Sequence, residues 1–193
     1  MPNKFVIKTT HDSGGVFICE DKEKIDIVRA KTKISRSIKR NYYNYWREWC
    51  YKNIQPKIII EEFLHDEHIN KAGLVDFKFY CFNGKPYYCQ VIQNRGRNET
   101  IDFFDMDRKR MPFNGTRPLP MSENPIKKPK KLNEMIEISE RLSENIPFLR
   151  VDLYYVNNQI YFGELTFFPS SGFGSFYPKR WNRKIGEDRK SVV

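Results

Sequence analysis

Residues 150–174 read RVDLYYVNNQIYFGELTFFPSSGFG, and this stretch decides the fold. Runs of Tyr, Val, Ile and Phe flank Asn157-Asn158, and an Asn pair tolerates the positive φ that a two-residue hairpin turn demands. The spacing predicts an antiparallel hairpin with Asp152 on one strand and Glu164 on the other, side by side. Two carboxylates held close on rigid strands repel unless a cation or a proton lies between them. Hard oxygen ligands of this kind suit Mg²⁺ carrying the phosphates of a nucleotide. Strand alternation puts Arg150 on the face of Asp152, within reach of an anion held there, and Thr166 on the face of Glu164. The same pattern also describes a surface hairpin with its charged residues on a wet face.

R-x-D, then E-x-T a dozen residues after the Asp, then P-x-x-G resembles the metal-binding hairpin of the ATP-grasp ligases, whose pattern is R-x-D … E-x-N. FLRVDLYYVNNQIYF with GELTFFPSSGFG is more closely similar to the TupA-like ATP-grasp family, named for a teichuronopeptide biosynthesis protein. The likeness runs from KFVIKTTHDSGG to the region of Trp181. It implies an α+β, ATP-grasp fold of two lobes, each a largely antiparallel sheet with packed helices. Residues 1–64 would form a small nucleotide-clamping lobe and 65–193 a metal-binding catalytic lobe. It also implies ATP and Mg²⁺ as cofactors, with Asp152, Glu164 and Thr166 as metal ligands and Arg150 steadying the transferring phosphoryl group. Thr166 stands where the wider superfamily has Asn. The relatives that this chain resembles begin with a further segment ahead of KFVIK, so an N-terminally truncated unit is expected.

At 193 residues, with 39% hydrophobic and 15% aromatic content, the chain can bury one good core or two small ones and is not a disordered composition. No apolar run approaches the roughly 20 residues of a membrane-spanning helix, and a soluble, cytoplasmic protein is expected. Cys19, Cys50, Cys81 and Cys89 follow no metal-ligand spacing and read as reduced structural thiols. The net charge of +10 calls for an anionic partner. Its basic residues are scattered and match no nucleic-acid-binding signature, so a nucleotide with an acidic substrate accounts for it without nucleic acid.

From the N-terminus, KFVIK reads as a strand and TTHDSGGV as a turn-rich loop. Ser13-Gly14-Gly15 can curl its N–H groups around phosphate oxygens or can form a plain hairpin turn. The resemblance places Lys8, at the strand end, on the nucleotide phosphates with Ser13–Gly15, while His11 shapes the loop. Asp21 to about Asn41 reads as a helix capped by Asp21, with Ile25, Val28, Ile34 and Ile38 as its apolar stripe. NYYNYWREWCYKN, residues 41–53, is either a packed connection or a stacking platform. KIIIEEFL, from Lys57, reads as a strand buried on both faces at its start. Its end resembles the ATP-grasp hinge, where Glu61 or Glu62 and the backbone through Phe63 and Leu64 read the adenine edge. His65 and His68 fall in a polar loop. VDFKFYCF predicts a strand with Asp76 and Lys78 on one face and aromatics on the other, turning at Asn83-Gly84. By resemblance Asp76 would bind ribose and Lys78 a phosphate; a cross-strand salt bridge is the competing account. Arg95 and Arg97 are candidates for a substrate phosphate or carboxylate. Leu132–Asn145 predicts an amphipathic helix, and the tail beyond Gly174 a fraying surface helix.

The expected function is an ATP- and Mg²⁺-dependent carboxylate–amine ligase of cell-envelope or capsular polymer synthesis. The rival expectations are a polysaccharide glycosyltransferase, an inactive nucleotide-binding fragment and a basic nucleic-acid-binding module.

Overall fold

The computed structural model describes residues 2–66, 73–115, 117 and 119–190. His68 lies outside them. Two compact units divide the chain, Met1–Leu64 and His65–Val193.

In the first unit β1 (Phe5–Thr9) pairs antiparallel with β2 (Val16–Cys19) on one side and with β3 (Ile58–Glu62) on the other. Helix α1 (Ile27–Ile38) contacts β1 and β2 and buries Ala30, Ile34 and Ser37, spaced i, i+4, i+7, alongside Phe5, Cys19 and Thr9. The expected helix from Asp21 breaks in two. Asp21 caps only a 3₁₀ turn, Lys22–Lys24, Ile25 is extended, and Asp26 caps α1 by accepting from the Arg29 N–H. Val28 consequently faces water rather than the core.

One further expectation fails here. Ile58, Ile59 and Ile60 are 52, 40 and 49% exposed: β3 is an edge strand, α1 lies over β1 and β2 on the face of Ile58 and Ile60, and Ile59 points to the opposite face. Of the two readings of residues 41–53, packed connection and stacking platform, the segment keeps features of both: α2 (Tyr43–Trp46) followed by a 3₁₀ turn at Trp49–Tyr51 leaves Tyr45, Trp46 and Trp49 exposed. Its order comes from ring-on-ring contacts, Tyr42 on Tyr51 and Tyr43 on Trp49, and from Lys52 Nζ 4.4 Å above the Trp49 ring.

The second unit is built on an antiparallel sheet of order β6-β5-β4-β8-β9: β4 (Asp76–Phe82), β5 (Lys85–Gln93), β6 (Thr100–Phe104), β8 (Phe148–Val156) and β9 (Gln159–Thr166). Both tight hairpins have positive φ at each turn residue, 53° and 77° at Asn83-Gly84 and 47° and 63° at Asn157-Asn158. That matches the turn that follows the right-handed strand twist. One sheet face packs Phe77, Phe79, Cys81, Cys89, Val91, Leu149, Val151 and Leu153 on Leu132 and Met135 of α3 (Leu132–Ser143). On the other face Tyr80, Phe82, Tyr88, Ile101 and Phe103 meet Phe113, beside the two-stranded ribbon of β7 (Asn114–Gly115) and β10 (Phe176–Tyr177). Trp181 and Ile185 of α4 (Arg180–Lys190) complete this second core, so the first turns of the C-terminal helix are anchored to it. Among the described residues no helix is long and apolar enough to cross a membrane. All four cysteines are free, and burial pushes the Cys81 and Cys89 thiols up to about 12, as suits inert packing groups.

Met135 is fully buried between α3 and the sheet. Met135→Ala should cost about 2–5 kcal/mol in urea unfolding. Val28→Ala, on the wet side of α1, should stay within about 0.5 kcal/mol.

Candidate functional site

Strand register assembles the site in the second unit. Gln90, Lys78, Asp152 and Glu164 stand opposite one another across four strands, and Tyr80, Arg150 and Thr166 form the next row. Cross-strand partners share a face, so the six residues singled out on this unit, Asp76, Lys78, Arg150, Asp152, Glu164 and Thr166, come together. A bulge lets Gly163 stand unpaired opposite Asp152–Leu153; a Cβ there would lie 3.0 Å from the Asp152 carbonyl oxygen. Bulges of this kind tighten the local twist and re-aim side chains beside active sites.

Asp152 is the hub. Its Oδ1 accepts from Arg150 Nε at 2.7 Å and its Oδ2 from Arg150 Nη2 at 2.8 Å, while Lys78 Nζ donates to the same Oδ2. Arg150 Nη2 also reaches Glu164 Oε1 and Thr166 Oγ1, each at 2.9 Å. Asp76 accepts from Arg95 and stands 3.5 Å from Lys78 Nζ. Burial works against the Arg150 charge, but the Asp152 carboxylate outweighs it and raises its affinity for the proton. Desolvation, then the nearby Asp152 charge, push the Glu164 carboxyl above its ordinary range.

Lys78 and Asp76 therefore stand in ion pairs, the account that competed with direct phosphate and ribose contact. Gln90 and Tyr80 were missed, although both are buried on the site face and the Tyr80 hydroxyl lies 3.3 Å from Gln90 Oε1. Residue alternation along β4 was the available signal for Tyr80.

Mg²⁺ fits this donor set. A carboxylate offers about four lone-pair directions, and three groups occupy those of Asp152. Glu164, with its side chain 57% exposed, feels a repulsion from Asp152 that Arg150 relieves only in part and a cation would relieve further, and Mg²⁺ takes one or two carboxylates with phosphates and water around it.

The first unit holds the remaining candidates. Lys8 lies on the sheet face away from α1, flanked by Val16 and Ile59, and forms an ion pair with Glu61. Glu62 is exposed on the same edge strand. Of the backbone groups expected at the hinge, the Phe63 N–H is already donated to Lys4 O at 3.3 Å, while Leu64 follows it at the end of the unit. Ser13-Gly14-Gly15 form the turn between β1 and β2, with Gly14 at φ 93°.

A family model described as TupA-like ATPgrasp matches residues 1–190. The chain belongs to the TupA-like ATP-grasp family. Among solved structures, this TupA-like chain is similar to D-alanine–D-alanine ligase from Bacillus anthracis complexed with ATP. The identity there is 16% and the TM-score 0.39, covering 84% of this chain and 39% of that one. A second structure of the B. anthracis ligase gives 17% and 0.45, covering 95% and 49%. The Helicobacter pylori ligase gives 14% and 0.48, covering 100% and 50%. The chain thus spans half or less of the length of these ligases. No curated protein matches it.

The upward shift of Glu164 has a sign. A carboxyl that holds its proton more tightly when folded supports the fold below the ordinary carboxylate range and loses that support as pH rises through its folded value. Glu164→Gln should therefore melt above wild type at pH 7 without ligand, and the advantage should vanish in acid; thermal melts across pH 4–7 test this.

Proposed function

We propose that this TupA-like ATP-grasp chain is the nucleotide- and metal-handling part of an ATP-dependent carboxylate–amine ligase. The observation that carries the reading is the alignment of Lys78, Asp152, Glu164, Arg150 and Thr166 on one sheet face, in a chain whose family model covers nearly its whole length. ATP, as substrate, would phosphorylate a carboxylate with loss of ADP, and an amine would then displace phosphate to give an amide. Asp152 and Glu164, with the Thr166 hydroxyl, are the groups to hold Mg²⁺, which supplies charge neutralisation for the phosphates. Arg150 is pinned by Asp152 and offers its guanidinium to charge developing on the transferred group. Lys78 holds Asp152 in orientation through an ion pair, and Arg95 does the same for Asp76. Little covalent chemistry falls to the protein, since positioning and electrostatics suffice for phosphoryl transfer.

In the first unit, Lys8 and the 13–15 loop are the proposed grip on phosphates, and Glu61 or Glu62 with the chain through Phe63 and Leu64 the reader of the adenine edge. Val6, Ile18 and Ile59, on the sheet face of Lys8, offer an apolar platform for the ring. A cavity of about 390 Å³ in the second unit suits the body of the carboxylate or amine substrate. Phe148 and Tyr80 line it, and Phe148 lies two residues from Arg150, or about 7 Å along the strand. Synthesis of a cell-envelope or capsular polymer, in the cytoplasm, is the setting that the family resemblance supports.

Thermal shift tests the reading. Mg·ATP should stabilise wild type, by about 2.7 kcal/mol at a hundredfold excess over Kd. Asp152→Asn and Glu164→Gln should lose most of that gain. No response to nucleotide in wild type, or full retention in both variants, would sink the proposal; stabilisation by a UDP-sugar or an oligonucleotide instead would favour a rival.

A further inference from the structure

Three successive residues leading into the Ser13–Gly15 loop, His11, Asp12 and Ser13, are fastened to Ser37 in the last turn of α1 and to Arg40 just beyond it. His11 is buried, and its Nε2 lies 3.0 Å from both the Ser37 and Arg40 carbonyl oxygens. Carbonyls only accept, so this nitrogen carries the proton and His11 closes the helix end. The Asp12 side chain is wholly enclosed. Its Oδ1 accepts from the Thr9 hydroxyl and its Oδ2 from the Ser37 hydroxyl and from Arg40 Nη2, the last at 2.6 Å. The Ser13 carbonyl then accepts from the same Arg40 nitrogen at 3.2 Å.

Gly15 seals the knot. A Cβ at this position would overlap the Thr9 and Ser37 hydroxyl oxygens, and its carbonyl accepts from the Thr9 N–H at 2.9 Å. Gly14 differs: it is exposed, with a φ of 93°, and no atom stands within 4 Å of where its Cβ would be. The loop is thus a fixed arch with one open apex. Burial opposes the Asp12 charge, yet the Ser37 and Thr9 hydroxyls and the Arg40 guanidinium prevail and hold its carboxyl below the ordinary range. It stays ionised at any ordinary working pH.

We propose that Asp12 is the positioning residue of the phosphate-gripping loop: it fixes the backbone of residues 12–15 against α1 before a nucleotide arrives, without touching it. This rests on the reading of that loop given above. Left to itself, a Ser-Gly-Gly turn samples many conformations, and each ordered residue costs about 1–2 kcal/mol of backbone entropy. Apparent affinity falls in proportion to the fraction of chains with a competent loop. A buried, fully hydrogen-bonded carboxylate is a device suited to selecting one geometry.

The test is calorimetric titration of wild type, Asp12→Asn, Ser37→Ala and Arg40→Lys with ATP in Mg²⁺ and, separately, with adenosine. Asp12→Asn keeps the shape but not the charge. If it lowers the competent fraction to about a tenth, ATP affinity falls about tenfold, while adenosine, which lacks phosphates, binds as before. Ser37→Ala, altered on the helix and not in the loop, should show a smaller loss of the same kind. Equal ATP affinity in Asp12→Asn and wild type overturns the proposal, and so does an equal loss of ATP and adenosine, which marks general damage. Should Asp12→Asn fail to fold, unchanged ATP affinity in both Ser37→Ala and Arg40→Lys overturns it. If wild type binds no ATP, the nucleotide reading falls and takes this one with it.

Discussion

Asp152 sits 2% exposed on a five-stranded sheet with a lysine and an arginine bonded to it, and the site hangs on that arrangement. A carboxylate taken out of water is costly by itself, and removing one partner of a buried pair commonly costs about 3–5 kcal/mol. Here the compensation is built from neighbouring strands. β4 supplies Lys78, β8 supplies Arg150 and Asp152, and β9 supplies Glu164 and Thr166. Three cations, Lys78, Arg95 and Arg150, stand against three acids, Asp76, Asp152 and Glu164. The balance is local and uneven: Asp152 takes three donors while Glu164 takes one cationic donor, from the shared Arg150. That unevenness is what the proposed divalent cation would relieve, beside the Arg150 guanidinium.

The hairpin half of this site could be read directly from residues 150–166. Asn157-Asn158 fixes the turn, and the turn alone would set Gly163 opposite Asp152; the bulge at Gly163, a glycine inside a strand of the same hairpin, brings Glu164 there instead. The β4–β5 half was harder. A plain two-residue turn at Asn83-Gly84 sets Cys89 opposite Lys78, but a register shift between Tyr80 and Cys81 sets Gln90 there instead. One extra residue exchanged a thiol for an amide beside the hub. Nothing in the local composition announces it, because a bulge answers to the packing of the whole sheet.

Illegibility in the first unit has a different source, sequence separation. Whether Ile58 and Ile60 are covered depends on where α1 lands, and α1 lies over β1 and β2. Asp12 meets Ser37 across 25 residues and Arg40 across 28, so a DSGG loop gives no sign of its anchor. The helix start was misplaced for a smaller reason. Asp21 and Asp26 are equally good caps by type, and only the extended backbone at Ile25 separates them.

The exposed edge strand has a consequence of its own. A short isoleucine run with unsatisfied backbone groups invites pairing with other chains. This one is bounded by Lys57 on one side and by Glu61 and Glu62 on the other, gatekeeper charges that keep the sticky segment shorter than the six or so residues a dry zipper requires. Position 61 is then constrained twice over, once as the counter-ion of Lys8 and once as a guard against self-assembly.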